Sequence, residues 1–193
     1  MPPFEFCIPT VGTKFPSGPE WLHEIKYDGY RLRLERDGDR VRLITRGGYN
    51  WTDPWIVEAA LKNRVRRFVI DGEAVVLGVD GVSDFDALHS GKHNEEVQLY
   101  AFDIMALEGE DLRRLPLTMR KTNLAQLLTR RPDGIFVAPF EQGEIGPDLF
   151  RAARCGSMRF ARPRFRPRQP PPWAKCHFRS PISLPSRFCC SRT

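Results

Sequence analysis

The sequence predicts an antiparallel α+β domain. Three observations lead there: short alternating segments joined by tight turns, helical stretches set singly among them, and no strict βαβ alternation. Neither a G-x-G-x-x-G nor a Walker glycine run occurs, which argues against Rossmann and P-loop nucleotide sites.

Residues 1–20 hold Pro, Gly and Thr without a clear period and read as a lead-in segment. A strand pattern starts at Trp21 and runs into a loop at Lys26. Tyr30, Leu32 and Leu34 then alternate with Arg31, Arg33 and Glu35, as a half-buried strand requires. Asp37-Gly38-Asp39 supplies a tight turn, and Val41 and Leu43 alternate with Arg40 and Arg42 on the return, which predicts a hairpin. The second strand ends at Thr45-Arg46-Gly47-Gly48, whose glycines let the backbone come close to a ligand. Asp53-Pro54 reads as an N-cap followed by proline at the first helical position, with a short helix over 55–61.

Residues 68–77 are apolar almost without break, so they predict a central strand with Asp71 and Glu73 on one face. A carboxylate in such a strand is costly unless a charged or hydrogen-bonding group meets it. Glu73 therefore reads as facing a ligand pocket, with an internal salt bridge as the alternative. A short capped helix is expected over 83–88 and another strand over 97–104. In that strand Phe102 shares a face with Tyr100 and Ile104, and reads either as core packing or as an aromatic that stacks on a base. A helix over 116–128 turns Leu117, Leu124, Leu127 and Leu128 to its apolar side. A last strand is expected over 135–140, and a helix begins in 147–154.

Charge is unevenly spread. The 193 residues carry a formal charge of +6, yet 151–193 hold eleven Lys or Arg and no acid, which leaves 1–150 at −5. Any polyanion-binding argument from charge is thus an argument about the tail. Cys7 stands apart from Cys155, Cys176, Cys189 and Cys190, and no spacing suits zinc. His89 and His93 flank Gly91, which weakens a helical ligand pair and favours a solvated loop. With no signal peptide and no apolar run of spanning length, a soluble cytoplasmic protein without membrane contact is expected.

Glu24-Ile25-Lys26-Tyr27-Asp28-Gly29-Tyr30-Arg31 carries the chemistry. Extended backbone puts Glu24, Lys26 and Asp28 on one face. An amine between two carboxylates, beside a permissive glycine, suits a nucleophile that attacks phosphorus; an ordinary surface charge ladder is the alternative.

Taken in order, this stretch, Thr45-Arg46-Gly47-Gly48, Ile70-Asp71-Gly72-Glu73 and Tyr100-Ala101-Phe102-Asp103-Ile104 resemble the motif series of one superfamily. It is the adenylation (nucleotidyltransferase) domain of ATP-dependent DNA ligases, nearest to the bacterial type associated with non-homologous end joining. The resemblance covers about residues 8–154 and implies a nucleotidyltransferase domain of antiparallel sheets with ATP-grasp-like architecture. It implies that Lys26 attacks the α-phosphorus of ATP and carries AMP as a phosphoramidate. Arg31 and Arg46 would hold phosphate or ribose oxygens. Glu73 would bind ribose or a metal-bound water, Phe102 would stack on adenine, and Glu24 would help hold the base. Asp28 falls in the same nucleotide-binding set. Mg²⁺ (or Mn²⁺) would offset triphosphate charge, with ligands the sequence does not identify. The implied substrate is nicked or broken double-stranded DNA, joined by a nucleoid-associated monomer alongside end-joining repair proteins.

The resemblance stops near residue 154. The later lysine motifs and the oligonucleotide-binding barrel of the family do not follow, so a domain incomplete at its C-terminus, with activity reduced or lost, is expected. Residues 155–193 are rich in Pro, Arg and Cys. They could be a basic nucleic-acid arm, a diverged fold that the prolines speak against, or out-of-frame translation of the usual ending. The sudden change in composition favours the last. Two other functional readings stay open: an RNA ligase or capping-type nucleotidyltransferase, and a non-catalytic fragment that binds nucleotide or DNA.

Overall fold

A hairpin closed at Gly38 starts the larger of two units in the computed structural model. The model describes residues 4–6, 18–19, 21–25, 27–51, 53–79, 81–129, 133–143 and 188–192. One unit contains Phe4 and Asp28–Ala138; the other is drawn from Glu5–Tyr27 and Pro139–Thr193.

In the first unit, β2 (Tyr30–Asp37) and β3 (Arg40–Thr45) pair antiparallel, with Gly38 at φ 64° in the turn. Next come α1 (Pro54–Lys62), β4 (Arg67–Val75), α2 (Phe85–Ser90) and a 3₁₀ turn at Asn94–Glu96. The unit is completed by β5 (Gln98–Leu107), β6 (Glu110–Asp111), α3 (Leu117–Leu127) and β7 (Ile135–Val137). Strand order is β3-β2-β4-β5-β6, with β7 also on β5. The near-continuous apolar strand is therefore central, as its composition predicts. Pairing is antiparallel, as the sequence predicts, except that the three-residue β7 runs parallel to β5. The two-residue β6 is too short to carry a periodicity in sequence.

Helices α1 and α3 pack on β3 and β5. Leu32, Leu34, Leu43, Ile56, Phe68, Ile70, Leu99, Ile104 and Leu124 form the main core between sheet and helices. Asp53 caps α1 as its sequence predicts: its Oδ1 accepts the Trp55 and Ile56 amides, each at 3.0 Å. At the other end, Arg36 donates to the carbonyls of Ala60 and Asn63 at 2.6 Å and of Val65 at 3.0 Å. A buried arginine thus satisfies carbonyls that the end of α1 leaves open.

The opposite face of the sheet is polar in its middle. Register pairs Arg31 with Glu73 and Arg33 with Asp71 across β2 and β4, so these four side chains share it. Phe4 packs there against Val69, Met105 and Ala106.

The second unit contains β1 (Trp21–Ile25), paired antiparallel with β8 (Phe140–Gln142) and β9 (Phe188–Arg192). The sequence reading gave no regular structure to 155–193, whereas 188–192 form an edge strand on β1. The helix expected in 147–154 and the junction near 154 lie outside the described residues.

Two expectations of shared faces do not hold. Strand β1 ends at Ile25, and Asp28 and Gly29 lie in a bend before β2, so no single strand carries Glu24 and Asp28 on one face. Between Gly72↔Ala101 and Asp71↔Asp103 the ladder slips by one residue, which makes Phe102 the extra residue of a β-bulge. Ile104 stays in the main core and Phe102 does not.

Candidate functional site

Four elements bring motif residues Arg31, Arg46, Glu73 and Phe102 to one end of the six-stranded sheet. There β2 begins at Tyr30, β3 ends at Thr45, β4 is about to end at Val75, and β5 begins at Gln98. Arg31, Glu73 and Tyr100 lie level across three adjacent strands, since Arg31 is the register partner of Glu73, and Glu73 of Tyr100. Leu32 faces Thr45, so Arg46 follows at the same end of the neighbouring strand.

Arg31 is the centre of this group. Its Nη2 donates to Asp71 Oδ2 at 2.6 Å and its Nε to Asp71 Oδ1 at 3.1 Å, a two-pronged contact that fixes the guanidinium plane. The same guanidinium carbon lies 5.3 Å from the centre of the Phe102 ring. All four side chains are inside: Arg31 is 9 % exposed, Asp71 0 %, Glu73 7 % and Phe102 4 %. Burial pushes the Asp71 carboxyl up from its ordinary range, and the Arg31 charge and hydrogen bonds pull it back. Burial also raises the Tyr100 phenol. Tyr100 stacks on Phe136 with ring centres 5.5 Å apart.

Arg46 is exposed, on a turn held by Gly48 and Tyr49 amides that donate to Thr45 O and Thr45 Oγ1. Asp28 is exposed as well, and its backbone amide donates to Ser83 Oγ at 2.9 Å. Glu24 is buried on β1, in the other unit. Lys26 lies outside the described residues. Among the sequence-predicted residues, the structure thus brings Arg31, Glu73 and Phe102 together, with Arg46 at the same end of the sheet.

Sequence reasoning gave Asp71 no role and missed the support behind Phe102. Asp103, the next residue, accepts from Arg120 Nε at 2.8 Å and Nη2 at 3.0 Å. Arg120 also donates to Leu115 O at 2.9 Å and is almost fully buried on α3. A buried pair of this kind fixes geometry where an apolar contact would slide. Its trace in sequence is an arginine that shares the buried side of α3 with Leu117, Lys121, Leu124 and Leu127.

An arginine fork, a carboxylate and an aromatic ring suit the phosphate, ribose and base of a nucleotide. Among the described residues no group of three His, Cys, Asp or Glu could hold a metal. The donor set fits ATP, and a magnesium ion bound chiefly through nucleotide phosphates and water would need no such cage. No helix among the described residues is long and apolar enough to cross a membrane.

Residues 9–144 match the family model described as ATP dependent DNA ligase domain. The multifunctional non-homologous end joining protein LigD of Pseudomonas aeruginosa is 38 % identical over 136 residues, 67 % of this chain and 16 % of that protein. A DNA ligase of Natronomonas pharaonis is 32 % identical over 177 residues, 81 % of this chain and 32 % of that protein. The chain therefore spans less than a third of either relative. Among solved structures, mycobacterial DNA ligase D complexed with ATP and MES has a TM-score of 0.67 at 27 % identity. That likeness covers 85 % of this chain and 56 % of the solved one.

Proposed function

The chain belongs to the ATP-dependent DNA ligase family, and from that premise we propose that residues 21–154 act as an adenylation domain in which Lys26 carries AMP. The Lys26 amine attacks the α-phosphorus of ATP, a P–N bond forms, and the bond to pyrophosphate breaks. A free lysine amine titrates near ~10.4, so the amine must lose its proton before attack. Arg31 and Arg46 hold phosphate or ribose oxygens, Glu73 takes a ribose hydroxyl or a metal-bound water, and Phe102 offers its ring to adenine. Glu24 and Asp28 complete the nucleotide-binding set. Mg²⁺ or Mn²⁺ offsets charge on the triphosphate when bound.

The observation that carries this reading is the Arg31 fork, clamped by Asp71 and lying over Phe102 at the end of the sheet where β2 begins. A pre-oriented guanidinium costs little reorganisation when charge moves at phosphorus. The acceptor is the 5′-phosphate of a nick or break in duplex DNA; likeness to a protein named for non-homologous end joining supports it. End-joining repair proteins are the expected partners of this monomer, at the nucleoid.

Incubation with α-labelled ATP and Mg²⁺ tests the proposal. A labelled protein that disappears in Lys26→Ala is the expected result. Label that persists in Lys26→Ala, or none in the wild-type chain, overturns it. Labelling by GTP in preference to ATP points to capping-type chemistry instead.

A further inference from the structure

Nothing in the motif series assigns a role to residues 83–89, yet they grip the backbone that follows Lys26. Ser83 Oγ accepts the Asp28 amide at 2.9 Å. The Tyr30 hydroxyl shares a hydrogen bond with His89 Nδ1. Between these two tethers, Gly29 sits so close to β4 that an added Cβ would lie 2.0 Å from Ala74 O. Three consecutive residues, 28 to 30, are therefore held by a side-chain acceptor, a backbone surface and a ring.

The grip is itself anchored. A β-bridge pairs Leu77 with Ser83, and the Asp84 amide donates to Val76 O at 2.9 Å, so Ser83 is held against the chain just past the end of β4. Asp84 Oδ1 then caps α2 by accepting the Ala87 amide at 2.9 Å. On α2, Phe85 packs edge-on to Tyr30 at 5.5 Å between ring centres and stacks on His89 at 5.9 Å and 11°. Trp51 meets Tyr30 from another side. The strand that carries Glu73 and the loop after Lys26 thus share one rigid support.

We propose that Ser83 and His89 are positioning residues for the adenylation step, clamping the loop that follows Lys26 to the end of β4 through Asp28 and Tyr30. The proposal rests on the adenylation reading above. In-line attack tolerates little misplacement of the nucleophile, and small shifts of supporting groups lower rate more than binding. Both hydrogen bonds lie where water competes, so their loss alters position far more than stability.

The test uses the full chain in wild-type, Ser83→Ala, Ser83→Thr and His89→Phe forms; the last keeps a ring to stack on Phe85 while removing the nitrogen that meets Tyr30. Hydrogen–deuterium exchange at the Asp28 amide is expected to quicken about fivefold or more in Ser83→Ala and to recover in Ser83→Thr. Single-turnover adenylation is expected to slow about tenfold in Ser83→Ala and less in His89→Phe, with half-saturating ATP unchanged and recovery in Ser83→Thr. Unchanged Asp28 exchange in Ser83→Ala overturns the clamp. So does a rate loss matched by weaker ATP binding, or an unchanged adenylation rate. The exchange measurement needs no turnover. A wild-type chain that forms no adduct therefore counts against the adenylation reading, while Asp28 exchange still decides the clamp.

Discussion

Arg31 and Asp71 lie diagonally across β2 and β4, two residues off register, and meet through two hydrogen bonds of 2.6 and 3.1 Å. Asp71 has no exposed surface. Its charge is sustained chiefly by that arginine, with a weaker attraction from Arg33, and Arg31 is aimed by it in turn. Truncating Asp71→Ala removes two hydrogen bonds from a buried guanidinium and is expected to cost about 3–5 kcal/mol in urea unfolding. A loss under about 1 kcal/mol would mean that water or another acidic group takes over the contact.

Gly29 has no room for a methyl group. Its Cβ would fall 2.0 Å from Ala74 O and 2.8 Å from Val75 Cγ1, and the first of these is backbone that cannot swing away. Gly29→Ala should destabilise by about 1–3 kcal/mol and quicken amide exchange over 28–30. Wild-type stability in Gly29→Ala, by thermal or denaturant unfolding, would contradict the close approach.

The Arg120–Asp103 pair predicts a contrast between two kinds of replacement. Arg120→Ala leaves a buried carboxylate beside Phe102 and should cost about 3–5 kcal/mol. Replacing both partners, as Arg120→Met with Asp103→Leu, should cost clearly less than the single change. A double-mutant cycle reads the difference directly, and additive losses would show that the two groups do not depend on each other.

His23 sets a pH dependence in the smaller unit. It is 2 % exposed, and its Nε2 lies 3.0 Å from Gly143 O. Burial lowers its pKa below the ordinary 6.5, and the Gly143 contact opposes that in part. A depressed folded-state pKa gives a contribution that is full above the unfolded value and lost as pH falls through the folded one. The wild-type chain should therefore lose stability relative to His23→Gln as pH falls below 6.5. Parallel stability curves for the two proteins across that window would remove His23 as the cause.

Local chemistry made much of the fold legible in advance. Alternation of Leu32 and Leu34 with Arg31 and Arg33 fixes which side of β2 is core, because the side-chain period of a strand is two. Asp53 with Pro54 starts α1 where it should, since cap and first turn need only near neighbours. The family could be read from the order and spacing of four short motifs, and the match over residues 9–144 bears that reading out.

What the sequence by itself determined is the class of elements, their order, the central place of β4 and the family. The tertiary structure decided which charged groups meet. Arg31 takes Asp71 because two strands distant in sequence pair in one register, and Asp103 takes Arg120 because α3 folds back onto β5. Phe102 leaves the face of Ile104 because the ladder slips by one residue, which no alternation pattern records. Periodicity follows from the geometry of one strand or helix. Register, bulges and buried ion pairs follow from the energy of bringing two of them together, and only the folded chain resolves that.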